Sequence, residues 1–289
     1  MSARIRIGNQ TAVSSASLTG PFEFALQHGF DAFEWFEDKK TFPDGGSAGW
    51  DAADLDGPAR AELREAGRAH DVLFTVHAPW QANPLRPDGP ELLTRSIDLA
   101  RDLGAALVNL HLYMDEGAQG YAQALTPLAR YAAAAGLRLS VENTPQTTPG
   151  DFNDTFARLR ELDGAPARTV GMCLDIGHAN HCAETHNDFV RYLDGLSQAV
   201  PIVHVHAHEN HGDADSHLTL FTGPARENDR GVRGLLRRLR QRHYGGAIIL
   251  EQWPDPPELL AEAAARLREL LRSPSVNGSE SGGVAEARA

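Results

Sequence analysis

The stretch IleValHisValHisAlaHisGluAsn (202–210) is a strand-like apolar run that carries polar side chains toward its C-terminal end. Similar runs recur along the chain, and each ends near an acid, a histidine or both. They are ThrValHisAlaPro (75–79), ValAsnLeuHis (108–111), LeuSerValGluAsn (139–143), MetCysLeuAspIleGlyHis (172–178) and IleIleLeuGlu (248–251). Because nitrogen and oxygen side chains bind metal ions, their placement at strand ends indicates a metal-dependent enzyme.

Strand-like and helix-like stretches alternate from end to end, which is typical of βαβ units and a parallel sheet. The strand candidates are 4–7, 31–36, 72–77, 106–111, 137–142, 170–175, 202–206 and 247–251. Eight such strands predict a closed (β/α)8 TIM barrel, which usually takes about 250 residues. We therefore predict a single barrel domain over 1–272. The Ser-, Gly- and Glu-rich segment 273–289 lacks apolar periodicity and predicts a disordered C-terminal tail.

The charge and the hydrophobicity of the chain limit the classes of partner that it is expected to bind. The net charge of −12 disfavours a nucleic-acid partner, although it leaves a local basic cleft open. No apolar run approaches the roughly 20 residues that span a bilayer, and the segment 1–11 lacks the apolar region of a signal peptide. The sequence thus predicts a cytoplasmic protein without a membrane partner, and it leaves a homo-oligomer open.

Four candidate ligands end consecutive strands, the fifth to the eighth: Glu142, Asp175, His206 and Glu251. They are expected to converge on one half of the barrel mouth. Since buried ionised groups are costly unless paired or coordinated, this convergence predicts a bound divalent cation. Three carboxylates and one imidazole favour Mn²⁺, Mg²⁺, Co²⁺ or Fe²⁺ and permit Zn²⁺. Further metals or a substrate could be bound by the remaining candidates, which are His77, His111, His178, Asp215 and His217.

The motifs in these segments resemble those of the xylose-isomerase-like TIM-barrel superfamily. They are GluAsn with ThrPro (142–145), CysLeuAspIleGlyHisAlaAsn (173–180), HisValHisAlaHisGluAsn with AspSerHisLeu (204–218) and IleLeuGlu (249–251). The resemblance covers 4–272. That superfamily joins sugar and sugar-phosphate isomerases and epimerases to the endonuclease-IV-like abasic-site nucleases, so the motifs specify the superfamily better than the reaction.

The two branches imply different sites. Similarity to the ketose 3-epimerases implies one divalent metal held by Glu142, Asp175, His206 and Glu251, with both glutamates doubling as acid and base and His178 contacting the sugar. Similarity to the nucleases implies a trinuclear zinc site. Its residues would be His77, His111, Glu142, Asp175, His178, His206, Asp215, His217 and Glu251, and the expected residue type stands at every position.

Two departures from the superfamily patterns affect substrate recognition. The ketose epimerases carry an arginine six residues beyond the metal histidine, where this chain has Gly212. In addition, HisLeuThrLeu (217–220) runs into PheThrGlyProAla rather than GlyGluGly. We favour an isomerase or epimerase acting on a sugar, sugar phosphate or polyol, mainly because the chain is acidic. Zinc-dependent cleavage of abasic-site DNA is the alternative.

Residues at the rim offer further substrate contacts. Trp35, Trp80 and Trp253 lie at or just beyond strand ends, where they could form apolar walls for a sugar ring or pack as ordinary rim residues. His77 and His111 are candidates for the same substrate surface. The segment 37–50 follows the second strand and is rich in turn formers, which makes it a candidate lid.

Overall fold

A computed structural model describes residues 4–42, 44–162 and 166–273. Within these residues, eight parallel strands close into a barrel in which each strand pairs with the next and the last pairs with the first. The strands are β1 (Arg6–Gln10), β2 (Ala32–Phe36), β3 (Leu73–His77), β4 (Leu107–His111), β5 (Arg138–Glu142), β6 (Val170–Asp175), β7 (Ile202–Ala207) and β8 (Ala247–Leu250). The predicted (β/α)8 barrel is confirmed. The strand predicted at 4–7 lies instead at Arg6–Gln10.

Helices connect the strands and surround the barrel. They are α1 (Gly20–Gln27), α2 (Gly57–Ala69), α3 (Gly89–Leu103), α4 (Gly117–Ala134), α5 (Pro149–Glu161), α6 (Pro166–Thr169), α7 (Ile176–His181), α8 (Phe189–Gly195), α9 (Arg230–Gln241) and α10 (Glu258–Arg272). The helices pack through apolar faces. In α3, for example, Leu93, Ile97 and Ala100 are spaced so that they share one buried face. Gly104 then ends that helix at φ 68°, a conformation that glycine adopts without strain.

Side chains alternate across each strand, so one set enters the barrel and the other packs under the helices. On β2, Phe33 and Trp35 belong to an aromatic cluster with Phe22 of α1 and Phe74 of β3. Glu34, between them, contacts side chains of β3 and β7 instead. The barrel interior near its mouth is therefore polar, whereas the layer beneath the helices is apolar.

Two predicted segments lie outside the barrel itself. Within the candidate lid, Lys40–Thr41 and Ser47–Ala48 pair as a short antiparallel hairpin. Apart from Ser273, the predicted tail over 273–289 lies outside the described residues. Among the helices of the described ranges, none is both long and apolar enough to cross a membrane.

Candidate metal centre

The four residues predicted to hold a cation meet at the mouth formed by β5 to β8, and all four are buried. Nδ1 of His206 lies 3.3 Å from Oε2 of Glu142 and 3.4 Å from Oε2 of Glu251. Oδ2 of Asp175 lies 4.0 Å from the same nitrogen. Three carboxylates thus surround one imidazole nitrogen, which is the donor set expected for a divalent cation.

Two more of the predicted histidines extend this cluster on the side of Glu142. His77 lies with Nε2 3.2 Å from Oε2 of Glu142, while its Nδ1 is 2.7 Å from the carbonyl of Ala78. His111 is less close, with Nε2 3.7 Å from Oε1 of Glu142. One candidate ligand atom from each of His77, Glu142, His206 and Glu251 lies within 4.8 Å of the others.

The remaining predicted ligands form a second group on the other side, where Asp215 joins two imidazoles. Its Oδ2 lies 3.2 Å from Nε2 of His178 and 3.1 Å from Nε2 of His217. The second nitrogen of each ring is anchored on a backbone carbonyl, that of Asn143 for His178 and that of Glu251 for His217. Such outer contacts fix the orientation of a ligating imidazole.

The surroundings hold Glu142 and His111 in the states that bind a cation. Burial would raise the pKa of Glu142, but His206 and His111 together with other imidazoles hold it well below its usual value. Burial lowers the pKa of His111 to about 4 against the opposing effect of Glu142. Glu142 is therefore ionised and His111 is neutral near pH 7, as metal coordination requires. The pKa of His206 is instead raised well above its usual value, because the lowering effect of burial is outweighed by Cys173 and the carboxylates around the ring, so a cation would compete with a proton there.

Unsatisfied polar atoms test whether the residues fit a cation. Among the described residues, Oε1 of Glu142, Oε2 of Glu251 and Nδ1 of His206 are buried without a hydrogen-bond partner. Each such atom costs about 1–3 kcal/mol when it is left unpaired in the interior. Because these atoms belong to one cluster, a single divalent cation would compensate them together. The residues fit the implied metal.

Several residues of the site were missed by the sequence analysis. Glu34 lies beneath the cluster in contact with His204 and His206, and His208 directs Nε2 to within 3.1 Å of Asp175. Asn143 binds the backbone of Asp175. The alternation of β7 was a usable signal for His208, since His204, His206 and His208 share one face of the strand. Glu34 carried no signal, because it is one acid within an apolar run.

The three tryptophans differ in position. Trp80 is 56% exposed, and its carbonyl accepts a hydrogen bond from the hydroxyl of Tyr113, whose ring lies edge-on to that of His111. Trp253 follows β8 and packs its ring edge against Phe24. Trp35 is completely buried in the aromatic layer beneath the helices. The expectation that Trp35 forms a wall for a sugar ring is therefore wrong, because its side chain points away from the mouth.

Comparisons with known proteins agree with this architecture. A family model described as xylose isomerase-like TIM barrel matches residues 22–270. Uncharacterized protein MJ1311 of Methanocaldococcus jannaschii is 27% identical over 252 residues, covering 81% of this chain and 79% of that protein.

Two solved structures share the fold along nearly their whole length. A D-tagatose 3-epimerase-like protein has a TM-score of 0.73 at 24% identity, and the match covers 94% of this chain and 98% of that one. An L-ribulose 3-epimerase has a TM-score of 0.67 at 19% identity, with 96% and 99% covered. At these identities the likeness shows the fold.

Proposed function

Because the chain belongs to the xylose isomerase-like TIM barrel family, we propose that it is a divalent-metal-dependent sugar isomerase or epimerase acting by proton transfer. The observation that carries the proposal is the convergence of Glu142 and Glu251 on one nitrogen of His206, at 3.3 and 3.4 Å. Two carboxylates beside one cation ligand are suited to moving a proton next to a carbonyl. The sugar epimerases among the structural neighbours support the same reaction class.

Glu142, Asp175, His206 and Glu251 would hold the cation. A divalent ion held by these residues, whether Mn²⁺, Mg²⁺, Co²⁺, Fe²⁺ or Zn²⁺, would supply Lewis-acid chemistry, which is the polarisation of a substrate carbonyl and compensation of the negative charge that develops on it. The carboxylates and the imidazole together supply hard oxygen donors and one nitrogen donor, which all these ions accept.

The two glutamates flank the same imidazole nitrogen. Glu142 is fixed by Asn109, whose side-chain amide donates to it, and by the imidazoles around it. Oε1 of Glu142 and Oε2 of Glu251 both lack a hydrogen-bond partner among the described residues. One of the two glutamates would remove the proton from the substrate carbon and the other would return it. His178 is placed beside both Glu142 and Asp215 and would orient a sugar hydroxyl.

The rim of the mouth supports a sugar-sized substrate. The exposed Trp80 and the neighbouring Tyr113 offer an aromatic face on the side of His77 and His111. Aromatic rings bind the apolar faces of pyranoses and furanoses through contacts that exclude water. Trp253 would form part of the opposite wall, after β8.

Solvent exchange tests the proposed reaction. An active ketose or aldose incubated with the protein in D₂O should gain deuterium at the reacting carbon, because the proton passes through a carboxylate. Glu251→Gln should slow that exchange by orders of magnitude, since the amide cannot act as a base. Elemental analysis should find the metal in wild type and lose most of it in Asp175→Ala, with Asp213→Ala as a control carboxylate in an exposed part of the neighbouring loop. Full metal occupancy in Asp175→Ala would reject the ligand assignment.

Phosphodiester hydrolysis is a second candidate, favoured by one specific observation. The candidate ligands form overlapping groups rather than a single one, and His178, His208, Asp215 and His217 lie together beside the first cluster. Several cations at one mouth could activate water and stabilise a leaving oxygen. This reading also requires a DNA-binding surface, which the net charge of −12 disfavours.

A further inference from the structure

Glu34 is a completely buried carboxylate in the barrel interior, beneath the candidate metal centre. It stands in β2 directly opposite Thr75 of β3. Its neighbours Phe33 and Trp35 point outward into the aromatic layer, so the alternation of the strand directs Glu34 toward the barrel axis. An acid at this depth needs compensating partners, because an isolated buried charge is strongly unfavourable.

One hydroxyl and two imidazole nitrogens surround the Glu34 carboxylate. Oε2 accepts a hydrogen bond of 2.8 Å from the hydroxyl of Thr75 and lies 2.8 Å from Nε2 of His204. Oε1 lies 2.7 Å from Nε2 of His206, although the two atoms are not aligned as a hydrogen bond in this structure. The carboxylate therefore bridges two imidazoles of the same strand.

The two nitrogens of His206 face in opposite directions. Nε2 faces Glu34, whereas Nδ1 faces Glu142 and Glu251 in the mouth. An imidazole that binds a cation through one nitrogen carries a proton on the other, and a carboxylate beside that proton fixes both the tautomer and the ring orientation. Glu34 places a carboxylate oxygen 2.7 Å from Nε2 of His206, within reach of such a proton.

We propose that Glu34 is a positioning residue that holds His206 with its proton on Nε2 and so presents the Nδ1 lone pair to the cation. The inference rests on the metal centre of the proposed function. This role accounts for the acid at position 34, because an apolar side chain would fill the same space without the desolvation cost of a buried charge.

Glutamine at position 34 would have nearly the same shape but different hydrogen bonding. Its amide offers one accepting oxygen and one donating nitrogen, whereas the carboxylate of Glu34 faces the Thr75 hydroxyl and two imidazole nitrogens with acceptors alone. If the amide nitrogen faces His206, that ring must carry its proton on Nδ1, where the cation would bind. If it faces the other side, the neutral amide oxygen faces His206 and holds the Nε2 proton more weakly than the charged carboxylate does. Either arrangement weakens the metal site.

Titration with Co²⁺ alone tests the proposal, because its visible absorption reports both affinity and coordination geometry. Full-length Glu34→Gln should bind Co²⁺ about 10–100-fold more weakly than wild type, as is typical when an outer-shell partner is lost, and its spectrum should change. The matched control is Glu37→Gln, which alters another buried carboxylate whose partners are Ser96 and the backbone of Ala52. That control should bind Co²⁺ like wild type even if it is less stable.

A second measurement needs no variant. In Zn²⁺-loaded wild type, ¹⁵N NMR should show the His206 ring protonated at Nε2 and bound through Nδ1. A proton on Nδ1, or unchanged Co²⁺ affinity and spectrum in folded Glu34→Gln, would overturn the role of Glu34 and leave the proposed function standing. Wild type that binds neither ion would remove the metal centre, and the proposed function with it.

Discussion

The side-chain amide of Asn143 forms two hydrogen bonds with the backbone of Asp175. Its Oδ1 accepts from the Asp175 N–H and its Nδ2 donates to the Asp175 carbonyl, both at 2.9 Å. The carbonyl of Asn143 also accepts a 2.8 Å hydrogen bond from Nδ1 of His178. Asn143, which follows β5 directly, therefore fixes the main chain of Asp175 and the ring of His178.

Asn143→Ala should weaken both stability and metal binding. It removes two buried hydrogen bonds to the backbone of Asp175, each worth about 0.5–1.5 kcal/mol, so the free energy of unfolding should fall by about 1–3 kcal/mol. The Co²⁺ affinity should fall as well, because Asp175 loses its fixed position. Asn153→Ala is a matched control, since Asn153 also makes two hydrogen bonds with a neighbouring backbone, but on the surface. Urea unfolding and Co²⁺ titration measure both effects, and equal Co²⁺ affinities in the two variants would contradict this role.

Gly177 allows the His208 ring to lie against the start of α7. A Cβ at position 177 would stand 2.0 Å from Cε1 of His208, a distance too short for two atoms that are not bonded to each other. On its other face that ring is stacked on His217, with centroids 3.9 Å apart. Gly177→Ala should therefore lower the free energy of unfolding by about 1–3 kcal/mol, as overpacking typically does.

The double variant Gly177→Ala/His208→Ala should restore part of that loss, because the ring in the way has been removed. A double-mutant cycle by urea unfolding measures this coupling. Gly150→Ala is the matched control, since the nearest atom to its added Cβ is the Thr148 hydroxyl oxygen at 3.4 Å, an ordinary contact. Strictly additive effects of the two substitutions would show that the ring and the glycine do not interact.

The fold could be predicted from the sequence because apolar runs and helical periodicity recur in regular alternation. The error at β1 has a physical cause. Asn9 and Gln10 belong to that strand but are polar, and the barrel buries them, with Asn9 donating to the carbonyl of Pro21. Buried polar side chains interrupt the apolar pattern and so conceal the strand that carries them.

The strand-end ligands could be predicted because parallel strands bring their carboxyl ends to one face. The residues that support these ligands could not be predicted in this way. Glu34 and Asn143 act through contacts with strands far away in sequence, and no local pattern encodes which partner they will meet. Trp35 differs for a related reason, since its distance from the strand end predicts a place near the mouth but does not predict the face of the strand on which it lies.

The contrast between Trp80 and Trp35 provides a test of the proposed substrate wall. Trp80→Ala should raise KM by about 2–10-fold with little change in kcat, since an aromatic contact contributes roughly 0.5–1.5 kcal/mol. Its melting temperature should stay close to that of wild type, because the side chain is largely exposed. Trp35→Ala should instead cost about 3–5 kcal/mol of unfolding free energy through the cavity it leaves. An unchanged KM in Trp80→Ala would remove that residue from the substrate surface.

His217 distinguishes the two candidate functions. In the isomerase or epimerase, one cation is held by Glu142, Asp175, His206 and Glu251, and His217 lies outside this set, paired with the part-exposed Asp215. Because His217 supplies no ligand to this set, His217→Ala should keep deuterium exchange within about fivefold of wild type, which corresponds to about 1 kcal/mol. A trinuclear nuclease would need this imidazole as a ligand.

Both activities should be measured on the same preparations, with sugar exchange in D₂O and incision of abasic-site duplex DNA side by side. Asp175→Ala serves as the common negative control, because either chemistry requires that carboxylate. We expect exchange in wild type and His217→Ala and none in Asp175→Ala. The opposite result would be metal-dependent incision by wild type that weakens steeply with salt, as phosphate contacts require, and disappears in His217→Ala. Together with the absence of sugar exchange across a broad panel, it would replace the isomerase with the nuclease.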